Sequence, residues 1–321
     1  MKPHPAPLLL LPLLAASACK DDLILADDTA ETGDTSPTDD TDETQPDSVW
    51  EDQRAETSAT FNGIYASGRG VYVVASGGEI WTFRSSSGWT SETLEVEEEE
   101  LNGIWGTGSE DTMIWVAVGD AGKVARYEGG STTVVDLGTA NFETADGTAD
   151  ALTAVGWGGV YAWDGTAWNY EALPNHERLD DVWVSGTVAI GVGEEGAIVR
   201  RQGGVWVAME SPTDQPLYGI DGAADGDLWA VGKDGTLLHF DGTTWTAQEP
   251  FTSQSLWDVY APTSSSVFAV GNNGTAFHYN GNTWRELPTG VAENLYAVSG
   301  SSASDCWAVG NRGTALHYTG G

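Results

Sequence analysis

The segment from Leu217 to Trp245, LYGIDGAADGDLWAVGKDGTLLHFDGTTW, occurs in related form twice more before the chain ends. The other two copies are LWDVYAPTSSSVFAVGNNGTAFHYNGNTW from Leu256 and LYAVSGSSASDCWAVGNRGTALHYTGG from Leu295. Phased on the first apolar residue, seven copies begin at Phe61, Leu101, Phe142, Leu179, Leu217, Leu256 and Leu295. The period is about 39 residues. Short strands and tight turns at this period are typical of a β-propeller with one four-stranded blade per copy.

Turn chemistry within each copy supports four strands. Asp-Gly or Asn-Gly steps, which tolerate the positive φ of hairpin turns, precede the last strand at Asp164, Asp241 and Asn280. Apolar runs such as 228–231 indicate strands covered on both faces, as in blades that pack a neighbour on each side. No stretch sustains a 3.6-residue apolar period, so we expect almost no helix.

The fifteen tryptophans recur at fixed repeat positions, which predicts that they are wedges between blades. One position holds Trp229, Trp307, Phe268 and Tyr72, and another holds Trp89, Trp168, Trp206, Trp245 and Trp284. The alternative for a few of them is exposure and stacking against carbohydrate.

The seventh copy ends at Gly321 without its Trp-led fourth strand. Trp50 precedes Phe61 by the same eleven residues that separate Trp245 from Leu256. We therefore predict an all-β, seven-bladed β-propeller over residues 49–321, in which N-terminal and C-terminal segments share the last blade. Such closure ties both termini into one sheet and leaves no stray open end.

Residues 1–18 have the features of a secretory signal peptide: Lys2, an apolar stretch at 8–14 and small residues at 15–18. The following Cys19 resembles the lipobox cysteine of bacterial lipoproteins, although Ala16 stands where Leu is usual. The resemblance implies a lipidated Cys19, and the alternative is ordinary cleavage near Ala18 that leaves a free thiol. Residues 19–48 are rich in Asp, Glu and Thr, which predicts a disordered acidic tether spanning roughly 30 Å.

The charge balance restricts the partners. Residues 61–321 contain 34 acidic and 10 basic residues, which argues against nucleic acid and against direct contact with anionic lipid headgroups. We predict contact with the membrane through the lipid anchor only, at the bacterial cell envelope, in the outer membrane or at the cell surface. The remaining partner classes are a protein or a glycan bound by a monomeric propeller. Cys306, in the second strand of blade 7, is interpreted as a small buried hydrophobe.

The sequence gives little support for a metal-binding or catalytic group. His239, His278 and His317 share one repeat position in adjacent blades, which favours a repeated core residue over a metal centre. His176 has no visible partner. The acidic segments Glu97–Glu100 and Asp221–Asp227 lack the ligand spacing of a calcium loop and are interpreted as solvated loops. The sequence predicts no cofactor, no metal site and no catalytic residue.

The turns between the second and third strands vary among blades while their flanking glycines stay fixed. Sequence variation on a rigid frame favours a binding face, although unconstrained turns vary in the same way. The candidate residues are Asp120, Trp157, Glu194, Glu195, Lys233, Asp234, Asn272, Asn273, Asn311 and Arg312.

The repeated W-A-V-G-x-x-G-T…Y-x-G-x-x-W pattern resembles the propellers of the photosystem II assembly-factor type, the sialidase-like (BNR) group and a class of bacterial surface lipoproteins. The resemblance covers residues 61–321 and implies a fold rather than a reaction. The sequence DGTTW at 241–245 approaches the Asp-box S-x-D-x-G-x-T-W but lacks one residue. The nine arginines are scattered, so the arginine triad of a sialidase cannot be assigned.

Two functional hypotheses follow. The first is a membrane-anchored, surface-exposed propeller that binds a ligand or serves as an assembly scaffold without catalysis. The second is a secreted glycoside hydrolase or lyase of propeller type. An enzyme should gather non-repeating His, Asp, Glu, Arg or Tyr side chains with a perturbed pKa at one channel mouth, whereas a scaffold should show only the variable turns.

Overall fold

The computed structural model describes residues 50–94, 96, 100–108, 112–175 and 178–320. The signal peptide, Cys19, the acidic tether, His176 and most of the Glu97–Glu100 segment lie outside the described residues. Within these ranges the chain forms seven antiparallel four-stranded sheets and no α-helix. None of the helical segments in these ranges has the length and apolarity needed to cross a membrane.

The strands follow one another outward through each blade. The chain begins with β1 (Trp50–Asp52), which belongs to blade 7. Blade 1 contains β2 (Phe61–Ser67), β3 (Gly70–Ala75), β4 (Glu79–Arg84) and β5 (Gly88–Thr93). Blade 2 contains β6 (Leu101–Thr107), β7 (Ile114–Gly119), β8 (Lys123–Glu128) and β9 (Ser131–Asp136). Blade 3 contains β10 (Asn141–Thr148), β11 (Ala151–Trp157), β12 (Gly159–Trp163) and β13 (Trp168–Glu171).

The remaining blades repeat this order. Blade 4 contains β14 (Leu179–Ser185), β15 (Val188–Gly193), β16 (Ile198–Gln202) and β17 (Val205–Ala208). Blade 5 contains β18 (Leu217–Ala224), β19 (Asp227–Gly232), β20 (Leu237–Phe240) and β21 (Trp245–Ala247). Blade 6 contains β22 (Leu256–Thr263), β23 (Ser266–Gly271), β24 (Ala276–Tyr279) and β25 (Trp284–Glu286). Blade 7 contains β26 (Leu295–Ser302), β27 (Asp305–Gly310) and β28 (Ala315–Tyr318) together with β1.

The ring closes through the shared blade, as the sequence predicts. Strand β1 pairs antiparallel with β28, and Trp50 lies opposite Tyr318. The pairing continues past the strand, because the backbone N–H of Gln53 donates to the Ala315 carbonyl (2.8 Å) and that of Ala55 donates to the Gly313 carbonyl (2.9 Å). Both ends of the described chain are thereby held in one sheet.

The first strand of each blade contacts the first strand of the next, and β26 contacts β2 to complete the cycle. The seven phasing residues, Phe61, Leu101, Phe142, Leu179, Leu217, Leu256 and Leu295, all have 0% exposure. Apolar clusters lie between neighbouring blades and include the repeated tryptophan positions, as predicted. Trp206 and Trp245 are buried, while Trp89, Trp168 and Trp284 are partly exposed at the edges of these clusters. Cys306 is fully buried, which confirms its interpretation as a small hydrophobe.

A short 3₁₀ turn joins the second and third strands in five blades, and its geometry explains the fixed glycines. These turns are Asp120–Gly122, Glu194–Gly196, Lys233–Gly235, Asn272–Gly274 and Asn311–Gly313. The first glycine, such as Gly232, is extended, and a Cβ there would overlap the Pro216 carbonyl oxygen of the incoming chain. The last glycine, such as Gly274 at φ 70°, adopts the left-handed conformation that L-residues with a Cβ avoid.

Candidate functional site

The central channel opens into a cavity at the face that carries the 3₁₀ turns. Its wall is built by the residue that directly follows each buried phasing residue, in chain order Asn62, Asn102, Glu143, Asp180, Tyr218, Trp257 and Tyr296. The cavity holds about 450 Å³ of accessible space. We call it the channel mouth.

One half of the channel mouth is aromatic. The rings of Tyr218 and Trp257 stack with centroids 4.6 Å apart, and Tyr296 meets Trp257 nearly edge-on at 5.7 Å. The indole N–H of Trp257 donates to Oδ1 of Asn272 (2.7 Å), and the amide of Asn294 donates to the Tyr296 hydroxyl (3.3 Å). Blades 5, 6 and 7 therefore present one continuous, half-buried aromatic wall whose rings are held in fixed orientations.

The opposite half is charged. The Arg178 guanidinium contacts carboxylate oxygens of Asp180 (2.7 Å), Glu143 (3.0 Å) and Glu194 (3.5 Å). Burial raises the pKa of Asp180 to about 6, because desolvation outweighs the opposing effect of Arg178. The pKa of Glu143 is raised for the same reason. This half carries more acid than base, and its acids titrate closer to neutrality than exposed carboxylates do.

Amide side chains complete the ring between the charged and aromatic halves. Nδ2 of Asn62 donates to the Leu101 carbonyl, and Nδ2 of Asn102 donates to the Phe142 carbonyl, each over 2.9 Å. Each amide thus ties its own blade to the next. Asn102 also donates to the carboxylate of Asp120 at the start of a 3₁₀ turn (3.2 Å).

The structure divides the predicted binding face into two groups. The first residues of four of the five turns reach the channel mouth: Asn311 lines it, and Asp120, Glu194 and Asn272 contact Asn102, Arg178 and Trp257. The remaining turn residues do not line the cavity and are exposed, namely Glu195, Lys233, Asp234, Asn273 and Arg312. Trp157 is 50% exposed, and its backbone forms an isolated bridge with Arg178.

Four aspartates join the inner strands of neighbouring blades, and two of them, Asp181 and Asp258, also line the channel mouth. The accepting carboxylates and donating backbone N–H groups are Asp146 with Val184 (2.6 Å), Asp181 with Ile220 (2.7 Å), Asp221 with Ala261 (2.7 Å) and Asp258 with Val298 (2.8 Å). All four aspartates are partly buried. Burial raises their pKa values, to about 7 for Asp146 and Asp258 and about 6 for Asp221.

These carboxylates correct the interpretation of Asp221–Asp227 as a solvated loop. Asp221 lies on the inner strand β18 and accepts a hydrogen bond from blade 6. Asp227 lies at the start of β19 and contacts Nε2 of His239 (2.7 Å). Two of the segment's acidic residues are therefore fixed by neighbours, because backbone N–H groups and a histidine replace the water that the sequence interpretation assumed.

The three repeated histidines are predicted from the sequence to be core residues, but in the structure they make polar contacts and are partly exposed. His239 and His317 are 30% and 23% exposed, and each contacts an aspartate of its own blade, Asp227 or Asp305, over 2.7 Å. His278 instead contacts the Ser266 hydroxyl (2.9 Å), and burial lowers its pKa to about 4. Each ring contacts the large aromatic residue of the preceding strand, stacked for His278 and His317 and tilted by 35° for His239. Among the described residues, no group of three or more metal-ligating side chains comes together.

Comparison with known proteins supports the architecture. No family model matches the chain, and no curated protein matches it. YCF48 bound to D1 peptide superposes with a TM-score of 0.70 at 18% identity, covering 85% of this chain and 97% of that one. A catalytically inactive histidine-to-alanine variant of virginiamycin B lyase from Staphylococcus aureus, with quinupristin, gives a TM-score of 0.74 at 14% identity, covering 84% and 98%. YCF48 from Cyanidioschyzon merolae gives 0.66 at 16% identity, covering 84% and 98%. At these identities the likeness shows the fold alone, and the similar structures include both a peptide-bound protein and an enzyme.

The sequence interpretation missed the wall of the channel mouth. Its signal was present, because the position after each phasing residue differs from copy to copy while the phasing residue itself stays Leu or Phe. The sequence instead predicts a binding face at the variable turns, and only some of these turns reach the cavity.

Proposed function

We propose that this chain is a non-catalytic binding propeller that receives a segment of another protein at the channel mouth. One observation carries the proposal: side chains of different chemistry from all seven blades converge on one cavity of about 450 Å³. Concave sites of this size with an apolar wall and a few placed polar groups are the usual form of a binding site. The rigid ring positions both walls before any ligand arrives.

Peptide binding by a protein of the same fold supports this choice of ligand. YCF48, with 18% identity to this chain, is known bound to a D1 peptide. The fold therefore accommodates peptide ligands, and the channel mouth offers this chain an aromatic wall and hydrogen-bonding groups suited to one. The identity of the partner is not implied by this likeness.

The proposal includes anchoring at the bacterial cell envelope through a lipid on Cys19. Support comes from the sequence, in which a short apolar segment and small residues precede that cysteine. Several acyl chains suffice to hold a folded domain at a membrane. The acidic residues 20–48 would separate the propeller from the surface and leave the channel mouth accessible.

A second candidate, a hydrolase or lyase, is favoured by one feature of the mouth. Arg178, Glu143 and Asp180 form the convergent arginine–carboxylate group expected of an enzyme, and burial raises the pKa of both acids. Against it, Arg178 is already engaged by three carboxylates, and no described histidine lines the mouth. The lyase that shares this fold is inactivated by replacing a histidine. We therefore favour binding.

Site-specific photo-crosslinking in cells tests the proposal. A photoreactive amino acid replacing Tyr296 should give a covalent protein adduct of discrete mass, whereas the same residue at Tyr170, 58% exposed on an outer strand, should give none. Absence of an adduct at Tyr296 would contradict binding at the mouth. Turnover of a glycoside or cyclic peptide that is lost in Asp180→Asn would establish the second candidate instead.

A further inference from the structure

We propose that the channel mouth binds a lysine or arginine side chain of the partner protein. This inference rests on the proposed function and specifies which chemical group of the partner enters the cavity. It follows from the charge of the wall, an unsatisfied carboxylate oxygen and the position of the aromatic residues.

The wall of the mouth has an excess of negative charge. Four acidic side chains line it, those of Glu143, Asp180, Asp181 and Asp258, and Arg178 is the one cation lining it among the described residues. Burial raises the pKa of Asp258 to about 7 and raises the pKa of Asp181, so Glu143 and Asp180 carry the larger part of the negative charge at neutral pH. Arg178 is directed at acids of the protein itself, so it leaves little positive potential for an anionic ligand. A wall of one sign attracts the opposite charge and disfavours ligands of its own sign.

Asp180 provides a specific acceptor. Its Oδ1 binds Arg178, but Oδ2 is buried without a hydrogen-bond partner, and the side chain is only 9% exposed. A buried carboxylate oxygen left without a donor is costly, and a charged donor satisfies it best. An ammonium or guanidinium entering beside Tyr218 would lie against this carboxylate, and it would reduce the repulsion among the neighbouring acids.

The aromatic wall suits the rest of a basic side chain. Lysine and arginine have apolar stems that pack on aromatic surface, and their charged ends gain additional attraction from tyrosine and tryptophan rings. Tyr218 lies next to Asp180 in the ring order and carries a hydroxyl whose pKa is raised, first by burial and then by the charge of Asp180. Acidic and aromatic surfaces therefore meet at one point of the cavity, as recognition of an organic cation requires.

Fluorescence anisotropy with labelled Gly/Ser peptides tests the inference on the full-length protein. Peptides with one central lysine or arginine should bind at least tenfold more tightly than the matched norleucine, citrulline or glutamate peptides. Binding should weaken as NaCl rises from about 50 to 300 mM, because screening shortens the range of the attraction. Asp180→Asn should lose about tenfold in affinity, whereas Asp150→Asn, which removes the same charge from an exposed turn, should change nothing.

The peptide series remains decisive if the aspartate variant does not fold, which thermal unfolding of each variant would reveal. Equal binding of the neutral and basic peptides would overturn the cationic inference and leave the proposed function standing. Binding of free spermidine as tightly as the basic peptides would overturn a protein source for the cation. Failure of every peptide, together with no crosslinked adduct at Tyr296, would overturn the proposed function itself.

Discussion

Replacing Trp50 by alanine is the sharpest perturbation of the shared blade. Trp50 is the first residue of β1, is 5% exposed and packs on Tyr318 with ring centroids 5.5 Å apart. It belongs to the apolar cluster between blades 6 and 7 that also contains Phe268 and Leu316. The indole is thus the main side-chain link between the N-terminal strand and the rest of the ring.

The expected cost follows from burial and from the length of the strand. Truncating a buried tryptophan to alanine costs about 3–5 kcal/mol, against a total unfolding free energy of about 5–15 kcal/mol for a typical domain. Strand β1 pairs through three residues, and only two further backbone hydrogen bonds, from Gln53 and Ala55, continue the pairing, so we expect these bonds to be too few to hold the segment without the indole. We expect β1 to detach and the outer edge of β28 to become exposed.

Urea unfolding and hydrogen exchange of the full-length protein measure this effect. Trp245→Ala, at the equivalent position of blade 5 and 4% exposed, should lose similar stability, but its loss should not raise exchange in β28. Trp157→Ala, at a half-exposed position, should lie within about 0.5 kcal/mol of the wild type. A Trp50→Ala protein within about 1 kcal/mol of the wild type, with β28 amides still protected, would refute closure through Trp50.

Four further predictions concern pH, backbone strain, anchoring and the acidic segment. Burial raises the pKa of Asp146 to about 7 and that of Asp221 to about 6, so the folded protein holds these protons more tightly than the unfolded chain does. The resulting stabilisation is fully present below pH 4 and is lost as the pH rises through 7. The urea midpoint should therefore fall between pH 5 and 8, and it should fall less steeply in Asp146→Asn. Ala121 has φ 49°, so Ala121→Gly should stabilise the protein by about 0.5–1 kcal/mol in the same assay, and a loss of stability would contradict this. Cys19→Ser should move the protein from the membrane to the soluble fraction of cells; unchanged membrane fractionation would exclude lipidation. Deleting residues 21–46 should leave the thermal unfolding temperature unchanged, because the described propeller begins at Trp50.

The fold could be predicted because repetition samples the same physical constraint seven times. An isolated Leu or Phe says little, but seven of them at a period of about 39 residues define the buried start of every inner strand, and all seven are buried. The eleven-residue interval from Trp50 to Phe61 located the shared blade by the same logic. An unusual residue in one copy therefore does not change the assignment of that strand, because the other copies define its position.

The candidate site could not be predicted in that way, because it consists of the residues that do not repeat. Which side of an inner strand faces the mouth depends on the tilt of the blade and on bulges such as that between Leu217 and Gly219. Asp221 was placed in solvent because aspartate next to glycine usually marks a loop. Only the neighbouring blade, which supplies the Ala261 N–H at 2.7 Å, makes a buried aspartate favourable there.

The pattern of inter-blade bonds explains how the mouth can vary without weakening the ring. Blades 3 and 5 use the fifth residue from their phasing position, Asp146 or Asp221, and blades 4 and 6 use the third, Asp181 or Asp258. These positions lie further along the inner strands than the second residue, which faces the mouth. Blades 3 to 7 are therefore joined by groups other than Glu143, Asp180, Tyr218, Trp257 and Tyr296.

A substitution at one of those five mouth positions changes the cavity while the blade-to-blade hydrogen bonds of the aspartates remain, although Asp181 and Asp258 themselves also line the mouth. In blades 1 and 2 the second residue has both roles, because Asn62 and Asn102 line the mouth and also donate to the next blade. Ligand selectivity can therefore diverge at the five aromatic and charged positions, whereas the amides of blades 1 and 2 are constrained by their structural role. If the mouth binds a cationic side chain, the residues that determine this selectivity are those of blades 3 to 7.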